Sequence, residues 1–165
     1  MYAVVTAQRA VIRRRLALLF AAVVVSAGLV VVDPMPRAAH AAACAAGAGV
    51  TVVVDLTAFG LGVQTGCRLG DPPTGLAALQ GGGFTVTGTQ RWGLAFVCRI
   101  NGYPMPASEP CVNTPPASAY WSYWHAVPGG TWSYSTLGAS SYNPAQGTVE
   151  GWRFGSGQAP SISPP

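Results

Sequence analysis

Six ring-bearing side chains crowd one short stretch of the chain: Trp121, Tyr123, Trp124, His125, Trp132 and Tyr134. Flat rings held on a rigid pair of strands can stack on sugars, macrocycles or apolar peptide segments at low entropic cost. The same rings could instead fill a core that is short of Leu and Ile. Both readings stand at the level of sequence, and these six residues are the candidate ligand-binding set. His125 could serve as base, ligand or stacking partner, but no acid lies near it in sequence, which suits a strand residue at a hairpin end. A hydrolase triad would need a Ser, His125 and Asp55 or Asp71, and no Gly-x-Ser-x-Gly elbow is present. Arg99 and Arg153 could clamp a carboxylate or phosphate, although Glu150 and Asp55 are their more ordinary partners. No Cys-x-x-Cys occurs and no His lies near any Cys, so neither a metal nor any other cofactor is expected.

These side chains need a scaffold, and the periodicities supply one. Val50-Thr51-Val52-Val53-Val54-Asp55-Leu56 is β-branched enough for a strand buried on both faces. A turn at Gly60 and Gly62 leads to a second strand over Val63 to Arg68. Thr74 is placed to cap a short helix over residues 75–80, with Leu76 and Leu79 on one face and Gly81-Gly82-Gly83 at its end. From Phe84 the period becomes two. Leu94, Phe96, Cys98 and Ile100 are expected on one side, with Ala95, Val97 and Arg99 on the other. Asn101-Gly102 signals a turn, and a proline-rich loop follows to about Ser118. Strands at 120–126 and 131–136 then flank Pro128-Gly129-Gly130 as a hairpin. A two-residue turn would set Trp132 and Tyr134 beside Trp121, Tyr123 and His125; a three-residue turn would set them beside Tyr120, Trp124 and Ala126. The last strand is Val149 to Phe154.

The beginning of the chain reads differently. Arg13-Arg14-Arg15, an apolar run from Leu16 to Val32 and small residues around Ala39-His40-Ala41 form the three parts of a secretory signal peptide over residues 1–41. An uncleaved anchor, or a lipoprotein acylated at Cys44, are alternatives; Asp33 to Arg37 separates Cys44 from the apolar run and speaks against lipidation. The leader holds five of the nine Arg, and the remainder is neutral, with four Arg facing four acids and no Lys. Such a chain lacks the basic footprint of a nucleic-acid binder. With so few ionisable groups and one His beyond the leader, an enzyme is not expected. Four Cys in an exported chain imply two disulfides. Of the three pairings, the spacing favours Cys98 with Cys111 and Cys44 with Cys67. The expected organisation is therefore a leader, a secreted domain over 42–155 and a disordered Gly/Ser/Pro tail over 156–165.

Leu76-Ala77-Ala78-Leu79, Trp92-Gly93 leading to Arg99-Ile100-Asn101-Gly102, the block Tyr120-Trp121-Ser122-Tyr123-Trp124 and the ending Val149-Glu150-Gly151-Trp152-Arg153-Phe154 together carry a resemblance. Their order resembles the small β-grasp-like domain at the end of transcobalamin-type proteins. The last two motifs are also similar to those of a group of exported actinobacterial proteins. The resemblance implies an α+β, disulfide-stapled domain of mostly antiparallel or mixed sheet with one short helix. It further implies a non-catalytic module that binds a small ligand, a corrinoid in some relatives, or an envelope or transporter protein; a structural interaction domain of the cell surface is the alternative. His125-Ala126-Val127-Pro128-Gly129-Gly130 departs from the family where an Asn-Gly would follow, so no specific corrinoid contact is carried over.

Overall fold

Val50-Thr51-Val52-Val53-Val54 forms the heart of β1 (Gly49–Asp55), which is buried along its whole length. The computed structural model describes residues 42–165, so the expected leader over 1–41 lies outside the described residues. On one side β1 pairs antiparallel with β2 (Val63–Leu69), after a single 3-10 turn at Thr57–Phe59. Its other neighbour, parallel to it, is the last strand, β7 (Val149–Gly155). The strand β5 (Tyr120–Ala126) runs antiparallel to β7 and carries the two-residue edge strand β6 (Ser133–Tyr134). The sheet order is thus β2-β1-β7-β5-β6, and a separate antiparallel pair is made by β3 (Val86–Thr89) and β4 (Gly93–Ile100). One α-helix, α1 (Gly75–Gly81), completes a small α+β domain.

The inner face of the five-stranded sheet is the core. Val50, Val52 and Val54 from β1, Trp152 from β7, and Trp121 and Tyr123 from β5 pack against Ala78 and Leu79 of α1 and against Phe84, Val97 and Ile100. The helix starts where the sequence says it should: Thr74 Oγ1 accepts the Ala77 N–H at 3.0 Å, satisfying one of the donors that a helix leaves open at its first turn. Two more donors, the N–H groups of Gly75 and Leu76, go to the carbonyls of Tyr142 and Ala139. The segment after β6 therefore crosses the helix N-terminus, which is why β6 is shorter than the expected strand over 131–136. The hydroxyl of Ser135 donates to the Leu137 carbonyl at 2.8 Å and bends the chain away from the sheet.

The disulfides are Cys44–Cys67 and Cys98–Cys111, the pairing that the spacing favours. Three expectations need correction. In β4 the register shifts on either side of Gly88, so that Thr87 faces Arg99 while Gly88 faces Val97. Cys98 is the additional residue of a bulge, and a bulge reverses the alternation beyond it. Val97 consequently joins Ile100 in the core, and Cys98 is free to reach Cys111.

Arg99 does not pair with an acid. Its guanidinium donates to the carbonyls of Pro104 and Glu109 and holds the loop closed by the second disulfide. Arg153 does find its expected partner, with Nε 3.6 Å from Asp55 Oδ2.

The third correction concerns residues 156–165, which are not a disordered tail. They lie across the outer face of the sheet, where Pro160 and Pro164 are buried. A composition rich in Gly, Ser and Pro predicts a weak hydrophobic drive; it does not register hydrogen bonds made by main-chain atoms. The domain therefore extends past the expected boundary at 155.

Candidate functional site

Strand alternation decides where the six candidate rings go. In β5 the side chains of Trp121, Tyr123 and His125 share the inner face, and Trp124 lies on the outer one. Trp124 faces Tyr134 and His125 faces Ser133 across the hairpin. This is the pairing expected above for the three-residue turn, and it sets Trp132 and Tyr134 on the side of Trp124. The six residues do not form one surface.

Trp121 and Tyr123 are core residues at 5% and 7% exposure. The Trp121 indole donates to the Tyr103 carbonyl at 3.0 Å, and its ring meets Phe154 edge-on. Tyr123 stacks on Trp152 at 4.6 Å and donates its hydroxyl to Glu150. On the outer face the Trp124 indole donates to Ser122 Oγ, and its ring meets Tyr134 at 5.1 Å. Trp132 donates to the Ile162 carbonyl at 2.7 Å. Tyr134 is 49% exposed, and its hydroxyl lies 3.2 Å from that of Tyr120.

Three of the six line a cleft of ≈ 290 Å³ between β4 and the β6 edge of the sheet. They are Trp121, Tyr123 and Tyr134, joined by Tyr120 and Trp152; Leu94 to Val97 of β4 and the run Ser135 to Ala139 complete the lining. It contains no acid, no base and no His. Leu94, Leu137 and Tyr134 leave apolar surface open beside it. Among the described residues, Trp152 Nε1 is one of three buried side-chain polar atoms without a hydrogen-bond partner. A buried indole N–H left unpaired costs free energy.

The other two such atoms are His125 Nδ1 and Glu150 Oε1. His125 and Glu150 face each other across β5 and β7. Glu150 is fully buried; burial raises its pKa to about 8, and the Tyr123 hydroxyl only partly counters that rise. Tyr123 in turn is held far above the usual phenol range, by burial first and then by the Glu150 charge. His125 stacks on Tyr142 at 4.3 Å, nearly parallel, and burial lowers its pKa. Burial and the Glu150 charge raise the pKa of Tyr142. Sequence reading missed Glu150 and Tyr142 as members of this cluster. Glu150 did leave a signal: it shares parity with Trp152 in β7, so an acid stands at a core-facing position.

Cys98, Glu109 and Cys111 also converge, but both sulfurs are committed to the disulfide. Among the described residues no helix is long and apolar enough to cross a membrane.

Comparison with known proteins adds one finding. A family model described as SCO2322-like domain matches residues 114–163, a stretch that contains β5, β6, β7 and most of the segment on the outer face. No curated protein and no solved structure matches the chain.

Proposed function

We propose that this chain is an exported, non-catalytic binding module whose inner-face cleft takes a small uncharged ligand or the uncharged edge of a larger one. The observation that carries the reading is the cleft itself: uncharged and aromatic, lined by Trp121, Tyr123, Trp152 and the half-exposed Tyr134. A volume of ≈ 290 Å³ lies near the lower end of the range for small-molecule sites. It suits one ring, so a corrinoid would engage it by an edge and rest on Leu94, Leu137 and Tyr134. The exposed apolar surface of those same side chains supports an envelope or transporter protein as the alternative occupant. A β-grasp-like relationship is part of this proposal. It is supported by an antiparallel first pair, a helix, and a last strand returning parallel to the first at the centre of the sheet.

Trp fluorescence during titration with corrinoids and with neutral oligosaccharides tests the reading. One class should give a saturable change, and Leu137→Arg, which sets a charge at an exposed lining position, should abolish it without unfolding the protein. A folded sample that responds to neither class would leave small-molecule binding without support.

A further inference from the structure

We propose that the outer face of the sheet is a recognition groove for uncharged, proline-punctuated peptide, and that residues 156–165 occupy it as a ligand in cis. The site is separate from the inner-face cleft and does not depend on it. Five hydrogen bonds join main-chain atoms of the segment to the rest of the domain, and the Ser161 side chain adds an interaction with Asp55. The Gln158 carbonyl accepts from Ser122 Oγ at 3.3 Å and the Ala159 carbonyl from Arg153 at 2.6 Å. The Ser161 N–H donates to Asp55 Oδ2 at 2.7 Å. The Ile162 carbonyl accepts from the Trp132 indole at 2.7 Å, and that of Pro164 from the Gly129 N–H at 2.9 Å.

Such a pattern fixes the path of a peptide and asks little of its side chains. The exceptions are Pro160 and Pro164, which are buried, and Ser161, whose side chain also reaches Asp55. Gly151 shows how the groove admits the first. A Cβ there would lie 2.6 Å from the Trp132 ring and 2.9 Å from Pro160 Cγ, so the bare backbone of β7 forms the floor on which ring and proline sit. An aromatic wall, an indole donor to a carbonyl and a seat for proline are the working parts of proline-rich peptide recognition in general. The class of ligand follows: two prolines four residues apart, with only uncharged residues between them. The segment 158–165, Gln-Ala-Pro-Ser-Ile-Ser-Pro-Pro, has this form.

A ligand tethered this closely is at an effective concentration on the order of millimolar, so a peptide in trans competes only when the tether is weakened. The test uses the protein with Pro160→Gly and Pro164→Gly and a fluorescein-labelled peptide of residues 156–165, read by anisotropy. The doubly substituted protein should bind the peptide saturably and at least about tenfold more tightly than the unsubstituted protein. Adding Trp132→Phe, which keeps a ring and removes the donor to the Ile162 carbonyl, should weaken binding by about tenfold, the scale of one well-made hydrogen bond. The peptide with both prolines replaced by Gly should bind correspondingly weakly. Absence of saturable binding to a folded, doubly substituted protein at millimolar peptide would overturn the proposal. Equal binding of the Gly-substituted peptide would overturn it as well. Should the double substitution prevent folding, Pro160→Gly alone carries the same comparison at higher peptide concentration.

Discussion

Two carboxylic acids stand in the central parallel pair of strands, Asp55 in β1 and Glu150 in β7, and neither exposes any surface to solvent. They point to opposite faces of one sheet, and their pKa values are shifted in opposite directions. Asp55 Oδ1 accepts the Thr57 N–H at 3.0 Å and the Thr57 hydroxyl at 2.5 Å; Oδ2 accepts the Ser161 N–H and lies near Arg153. Burial pushes the Asp55 pKa up, but the hydrogen bonds from Thr57 and Ser161 together outweigh it and hold the carboxyl below its ordinary range. Glu150 has one donor, the Tyr123 hydroxyl, and an Oε1 with no partner. The difference teaches that burial alone does not set the charge of an internal acid. The number of donors aimed at the carboxylate sets it.

The sharpest way to break this comparison is pH. The Glu150 pKa rises from 4.5 to about 8 on folding, so between those values the folded protein holds a proton that the unfolded chain releases. Its stabilising effect is complete below 4.5, is lost as pH rises toward 8, and is constant beyond. At about 1.4 kcal/mol per pH unit, the loss is on the order of 5 kcal/mol. Asp55 behaves oppositely, since its lowered pKa contributes stability that disappears as pH falls through the folded value. Denaturant unfolding of the wild type should therefore show stability declining from pH 5 to 8, and Glu150→Gln, neutral throughout, should flatten that decline. Asp55→Asn should remove the loss on the acid side instead. Identical profiles for wild type and Glu150→Gln would mean that Glu150 is ionised inside the fold.

Two glycines sharpen the same contrast, one for each acid. A Cβ at Gly75 would collide with the Tyr123 hydroxyl and approach Glu150 Oε2 to 3.2 Å. Gly151→Ala would instead drive the Trp132 ring and Pro160 apart on the outer face. Each overpacking should cost roughly 1–3 kcal/mol, but with different local results. Gly75→Ala should disturb the Glu150 titration and leave residues 156–165 protected. Gly151→Ala should raise amide exchange at Ser161 and leave the Glu150 titration in place. Exchange rising equally in both variants would show that the two faces do not respond separately.

The sequence carried the strands, the Thr74 cap and both disulfides, because these depend on local signals: β-branched runs, a capping hydroxyl, short Cys spacings. It did not carry features that depend on meetings of distant residues. The bulge at Cys98 is set by the register with β3, and the hairpin register is set by a turn whose geometry Val127 to Trp132 leave open. Residues 156–165 read as a tail in sequence because their bonding partners, Asp55 above all, lie far away along the chain. The six-ring set shows the same limit within the candidate site. A count of aromatics identified the right strands, whereas assignment to faces required the register, and the Glu150 cluster required the neighbouring strand as well.

The smallest effect is expected from the second hydroxyl pair. Tyr120 and Tyr134 meet at 3.2 Å as a phenol-to-phenol contact at the edge of the sheet, in contrast to the buried contact of Tyr123 with Glu150. The Tyr134 hydroxyl, followed by burial, raises the Tyr120 pKa to about 12. Tyr134→Phe should bring Tyr120 back toward the ordinary phenol value of 10.0, visible as an earlier tyrosinate absorbance in an alkaline titration. Stability at pH 7 should change by less than about 0.5 kcal/mol, since Tyr134 is half exposed and water replaces the lost partner. A larger loss would mean that the exposed pair is structural. The contrast between buried and exposed hydroxyl pairs would then have to be drawn from their place in the sheet rather than from access to solvent.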